Sequence, residues 1–202
     1  MDNNEGQNSS DLQNSNEPKI EEIRDANGKL VRTISMLNGV LHGPMIGYDE
    51  DGNVAQELMY ENGVLSGDAK FYTNSQPLMM TSFKNGLQEG NAVFFVNGLK
   101  SGSVTMKEGK FDGVFTSYDA AGNVIREANY VAGLQEGECR TYYPNGCLLE
   151  MSTYKNNVLD GEVVKYFQDG AIMQISNFQE GKPVGTVDTY DNKGNLVSSE
   201  EV

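Results

Sequence analysis

One feature constrains this chain more than any other: its glycines recur with a fixed period. In contexts close to LxxG they fall at Gly43, Gly67, Gly90, Gly113, Gly137, Gly161 and Gly185, spaced 24, 23, 23, 24, 24 and 24 residues apart. Four residues upstream runs a second series, Gly39, Gly63, Gly86, Gly109, Gly133, Asn157 and Gly181. A third comprises Gly28, Gly52, Ser75, Gly98, Gly122, Gly146, Gly170 and Gly194. Asn157 is the one substitution in the second series, and Asn is the residue after Gly that best tolerates positive φ. Contexts such as Pro144-Asn145-Gly146 suit a type I turn followed by a left-handed Gly, a common hairpin connection. Turns this frequent leave no room for helices.

Large side chains keep the same time. Tyr48, Tyr72, Phe95, Tyr118, Tyr142, Tyr166 and Tyr190 each follow an LxxG glycine by five residues. Met36, Tyr60, Phe83, Met106, Tyr130, Tyr154 and Phe178 each precede the second-series position by three. Each unit of about 24 residues therefore holds two strands, two turns and two large side chains. The expected fold is all-β: an elongated, single-layer antiparallel meander of about seven hairpin repeats. About fourteen strands at roughly 4.8 Å give a twisted rod of about 65 Å. Neighbouring hairpins must stack, because a lone hairpin is marginal in water. Residues 99–109, LKSGSVTMKEG, are expected to form the weakest unit, with Gly102 in mid-strand.

Composition sets the function classes. Of 202 residues only 38% are hydrophobic, and Lys+Arg 15 against Asp+Glu 29 gives a net charge of −14. That balance excludes nucleic acid as a partner and disfavours anionic lipid. It also suits the open edges of a thin sheet, or attraction to a cationic partner. No stretch of about 18 apolar residues is present. Residues 1–19 are polar, with Leu12 the only aliphatic from residue 2 to 17. They are expected to be a disordered tail ahead of a repeat domain at 20–202. The tail has two readings: a solvated cytoplasmic terminus, or the tether of an extracytoplasmic lipoprotein in which Met1 stands for a lipid-bearing cysteine.

The pattern resembles the MORN-repeat variant family. The runs that carry it are Tyr60-Glu61-Asn62-Gly63-Val64-Leu65-Ser66-Gly67 with Tyr72, Phe83 to Gly90 with Phe95, and Tyr130 to Gly137 with Tyr142. The resemblance implies hairpin sheets without enzymatic activity that bind proteins or lipids, or dimerise. Many bacterial members carry an antitoxin label. Three functions follow as expectations: a binding or scaffold protein, an antitoxin or immunity protein neutralising a cognate toxin, and a lipid-binding module.

No residues are singled out for catalysis, and no cofactor or metal is expected. Gly-x-x-x-Gly recurs without the Lys-Ser/Thr ending of a phosphate loop. The run Asp49-Glu50-Asp51-Gly52-Asn53 reads as a turn, not a calcium loop, because it lacks the distal Glu. His42 reads as an exposed loop residue. Cys139 is placed opposite Met151 and Cys147 opposite Tyr143, too far apart to bond. By two-residue alternation, Phe71, Phe94 and Phe115 and the return-strand residues Met59, Met80, Met151 and Met173 are assigned to the face opposite the aromatic rungs. That face is expected to meet a protein partner or a second copy, or else to be the interior. On the partner reading, Phe94→Asp weakens association and spares the fold.

Overall fold

The computed structural model describes residues 17–202, so most of the expected tail lies outside the described residues. The strands are β1 Lys19–Arg24, β2 Leu30–Leu37, β3 Val40–Tyr48, β4 Val54–Glu61, β5 Val64–Thr73, β6 Gln76–Lys84, β7 Leu87–Gln88, β8 Gly90–Val96 and β9 Leu99–Lys107. They continue as β10 Lys110–Phe111, β11 Gly113–Tyr118, β12 Val124–Val131, β13 Leu134–Tyr142, β14 Leu148–Lys155, β15 Val158–Tyr166, β16 Ile172–Gln179, β17 Lys182–Tyr190 and β18 Leu196–Glu201. Every pairing is antiparallel and joins strands that follow one another in the chain. The result is one meander without crossovers. The pairs β7/β8 and β10/β11 are single strands interrupted at Glu89 and Asp112, which leaves sixteen full strands rather than fourteen. The two extra are β1 and β18, which flank the outermost paired glycines and so fall outside the count those pairs give.

The glycines do what their period implies. All twenty in the three series have positive φ, whereas Gly47 and Gly102, outside the series, do not. At Asn62-Gly63 both residues are left-handed, with φ of 49° and 83°. That is a two-residue type I′ hairpin, whose twist matches the strands. The third-series turns are mostly longer: Gly52 N donates to Asp49 O, and Asp49 N to Asn53 O. At Asn74-Ser75 and Asn97-Gly98 that turn contracts to two left-handed residues, and those two repeats are the ones 23 residues long.

The longer turns are held by carboxylates. Asp25, Asp49, Asp119 and Asp191 each accept backbone N–H bonds from residues two and four places on. Asp49 is thus occupied by its own turn. Its carboxyl is held below the usual range, chiefly by the Asn53 backbone bond. Asp119 and Asp191 are lowered chiefly by the Asn123 and Asn195 side chains. A depressed folded-state value means this stabilisation is present above the unfolded value and is lost as pH falls through the folded one.

Successive repeats are tied by a recurring pair of bonds. Gly63, Gly86, Gly109, Gly133, Asn157 and Gly181 each donate their N–H to a carbonyl two residues before the preceding LxxG glycine. The residue just before that glycine adds a side-chain acceptor. Glu89, Asp112, Glu136 and Asp160 accept from the N–H of Glu108, Ala132, Asn156 and Glu180. His42 holds the same position: its Nδ1 accepts from Asn62 N at 3.4 Å. It is a half-buried strand residue, which corrects the loop assignment.

A single layer buries a core here by an arrangement of rows. Across one face runs a central row that includes Met45, Leu58, Ala69, Thr81, Ala92, Val104, Ala128, Cys139, Ser152, Val163 and Ser176, all buried. Most are small. Larger side chains of the same face, most of them on the flanking rows and Phe115 in the central row opposite Ala128, lean over them. Tyr60, Leu65, Phe71 and Phe83 pack on the Met45–Leu58–Ala69 cluster. Phe94, Phe111 and Phe115 pack on Ala92, Val104 and Met106. Phe111 and Phe115 stack at 5.6 Å, and Tyr130 meets Phe111 edge-on at 5.5 Å. The segment expected to be weakest contributes Val104 and Met106 to this cluster. Gly102 is buried because the Phe115 ring lies on its backbone.

Gly102→Ala places a methyl 3.0 Å from Phe115 Cζ and 3.4 Å from the Thr116 carbonyl oxygen. The expected cost is about 1–3 kcal/mol in a urea titration. Phe94→Asp is expected to abolish the cooperative transition rather than spare it, because the ring is part of the core.

A candidate recognition face

The register assigns every strand residue to a face, and bulges decide the assignment. Each return strand has one residue skipped by the pairing: Val31, Ala55, Leu78, Ser101, Ile125, Leu149, Met173 and Val197. A one-residue slip moves every later side chain to the other face. Cys147 does lie opposite Tyr143. Past the Leu149 bulge, however, Cys139 pairs with Ser152, and Met151 pairs with Arg140. Both cysteines are free.

The seven residues singled out in the sequence therefore do not come together. Phe71, Phe94 and Phe115 lie on the core face with the return-strand rungs Tyr60, Phe83, Met106 and Tyr130. Met59, Met80 and Met151 pair with Pro44, Lys70 and Arg140 on the opposite face. Met173 is a bulge residue between them. The two aromatic series also separate. The return-strand rungs help build the core, and the series Tyr48, Tyr72, Phe95, Tyr118, Tyr142, Tyr166 and Tyr190 borders the opposite face.

That opposite face has no second layer of protein over it among the described residues. Its central rows can be followed strand by strand. One runs Glu22, Thr33, Ile46, Glu57, Lys70, Met80, Val93, Ser103, Thr116, Glu127, Arg140, Met151, Val164, Ile175, Asp188 and Ser199. The parallel row contains Asp68, Glu138, Glu162 and Glu201. Together the two rows hold eight acids, with Lys70 and Arg140 as their only bases. The net charge alone did not reveal this concentration, because it depends on the bulged register.

The aromatic border is wired to these rows. Tyr72 OH donates to Glu57 Oε1 at 3.1 Å, and Lys70 Nζ pairs with Glu57 Oε2 at 3.2 Å. Three repeats on, Tyr142 OH donates to Glu127 Oε2 at 2.6 Å, and Arg140 pairs with Glu138. Tyr118 meets Ser103 at that position, while Lys100 donates to its oxygen at 3.0 Å and sits 4.1 Å from its ring centre. Burial, then the Glu57 and Glu127 bonds, push the Tyr72 and Tyr142 phenols up. Ser103 and Lys100 pull Tyr118 down.

Equivalent positions form hollows. One of about 420 Å³ is lined by Val114, Glu127, Asn129, Glu138 and Arg140. One of about 220 Å³ is lined by Pro44, Ile46, Glu57, Met59, Asp68 and Lys70. Among the described residues no group of three His, Cys, Asp or Glu side chains is placed to share a metal, and no helix is long and apolar enough to cross a membrane.

This geometry defines a protein of stacked β-hairpin repeats. Residues 41–62, 111–132 and 135–156 match the MORN repeat variant, so the chain carries repeats of that family. No curated protein matches the chain. Among solved structures, TcdB2-TccC3-TEV is similar at 11% identity over 93% of this chain, with a TM-score of 0.20. This chain spans only 12% of that one. A Bacteroides fragilis NCTC 9343 protein of unknown function is similar at 7% identity over 94% of both chains, with a TM-score of 0.12. Both likenesses are too slight to add to the account of this fold.

Alkaline titration followed by tyrosine NMR should show Tyr118 ionising before Tyr72 and Tyr142. Glu57→Gln should lower the Tyr72 midpoint by removing the negative charge at its hydroxyl. Ionisation of Tyr72 ahead of Tyr118 would contradict the arrangement.

Proposed function

We propose that the chain is a non-enzymatic binding scaffold whose acidic, tyrosine-bordered face takes a cationic protein partner. The observation that carries this reading is the eight-to-two excess of acids over bases in the two central rows, on a face that no other described residues cover. The aromatic series beside these rows supplies amphipathic contact area of the kind favoured in protein interfaces. Met59, Met80 and Met151 add adaptable apolar contacts on the same face. The core face lacks this character along its central row, where charge appears only at the ends, in Glu21 and Glu200.

The test is co-purification from source cells with the native chain and with a Glu57→Gln, Glu127→Gln, Glu138→Gln variant. The native chain should retain a specific basic protein, less of it as salt rises. The variant should fold normally and lose that protein. Equal retention by the variant, or capture of an acidic partner, would overturn the reading.

A further inference from the structure

Arg126 occupies the core face in a position that aromatic rings fill elsewhere. Its Nε donates to Cys139 Sγ at 3.1 Å, and its Nη2 donates to Gln135 Oε1 at 3.4 Å. To reach both, its stem runs along β12 over Ala128, which is 1% exposed. Its methylenes thus cover a small central residue, as the Phe71 and Phe94 rings do in earlier repeats. The guanidinium has five N–H donors, and only these two protein contacts engage them. None of the three ion pairs among the described residues includes Arg126.

Gln135 is 7% exposed, and its buried Nε2 finds no acceptor. Its orientation is dictated chemically: turning the amide over would set N–H against the Arg126 N–H. Tyr130 stands directly across the ladder from Gln135, and Tyr154 pairs with Gly137, two residues further along the same strand. Unlike Tyr72, Tyr118 and Tyr142, neither hydroxyl has a hydrogen-bond partner among the described residues. Donors thus converge without a matching acid, in a chain whose net charge is −14.

We propose that Arg126, with Gln135 behind it and Tyr130 and Tyr154 at its sides, is a seat for a carboxylate, either an acidic peptide side chain or a small dicarboxylate. The anion takes the free edge of the guanidinium. The long 3.4 Å contact to Gln135 yields, and the released amide turns its N–H toward the anion. This site is separate from the acidic face and does not depend on the partner proposed for it.

The test is titration of the full chain with glutarate and with a capped acidic peptide, read from the Arg126 Nε–H and Gln135 amide signals by NMR. Both signals should move and saturate, while glutaramide, which has no charge, should move neither. Saturation by the peptide alone assigns the seat to a protein ligand, and saturation by glutarate alone to a small diacid. Arg126→Lys should weaken binding about tenfold through loss of the bidentate fork. Because Arg126 also covers Ala128, a second variant is needed. Gln135→Glu supplies an internal carboxylate and should stay folded while abolishing the response. Failure of both ligands to move either signal, or full binding by folded Gln135→Glu, would overturn the proposal.

Discussion

The whole structure depends on how a sheet one layer thick excludes water from its own middle. Among the described residues there is no second sheet and no helix to lay over it. The solution is to make the central row small and the flanking rows large. Ala69, Ala92 and Ala128 are almost completely buried, yet each has little surface of its own to hide. Burial comes from Phe71, Phe94, Tyr130 and Arg126, which lean inward from either side. A chain only 38% hydrophobic can sustain this because the core is a strip rather than a volume. The same requirement explains Gly102: a side chain there would occupy the place of the Phe115 ring.

Stacking turns that strip into a continuous structure. Each hairpin gives its neighbour a backbone acceptor and, in most repeats, a side-chain acceptor at the next type I′ turn. Much of the negative charge is thereby structural. Glu89, Asp112, Glu136 and Asp160 hold neighbouring turns, and Asp25, Asp49, Asp119 and Asp191 hold their own. What remains for the recognition proposed above is the set on the opposite face, led by Glu57, Glu127 and Glu138. The total of −14 therefore overstates the charge available to a partner.

The repeat, its turns and the absence of helices were legible in the sequence, because positive φ is a property of single residues and glycine reports it directly. Even the shift from 24 to 23 residues has a local cause in the contracted turns at Asn74-Ser75 and Asn97-Gly98. The faces were not legible. Alternation assigns them correctly only while pairing is regular, and one skipped residue per return strand reverses the assignment. That is why Phe94 and Met80 seemed to share a surface, and why Cys139 was set opposite Met151 rather than Ser152. Bulge residues as different as Ala55, Ser101 and Met173 offer no side-chain signature. The Arg126 cluster was hidden for the same reason, since an arginine serving as a core cover looks like a surface charge in sequence.

The central claim is the assignment of the two faces, and thiol accessibility tests it most directly. In a background with Cys139→Ser and Cys147→Ser, single cysteines at Ala92 and Ala128 should react with a water-soluble maleimide only as fast as the chain unfolds. Single cysteines at Ser103 and Thr116, each one residue away from the buried row, should react in the native state. Rapid labelling at 92 and 128 with protection at 103 and 116 would contradict the account, and would place the core on the face assigned here to recognition.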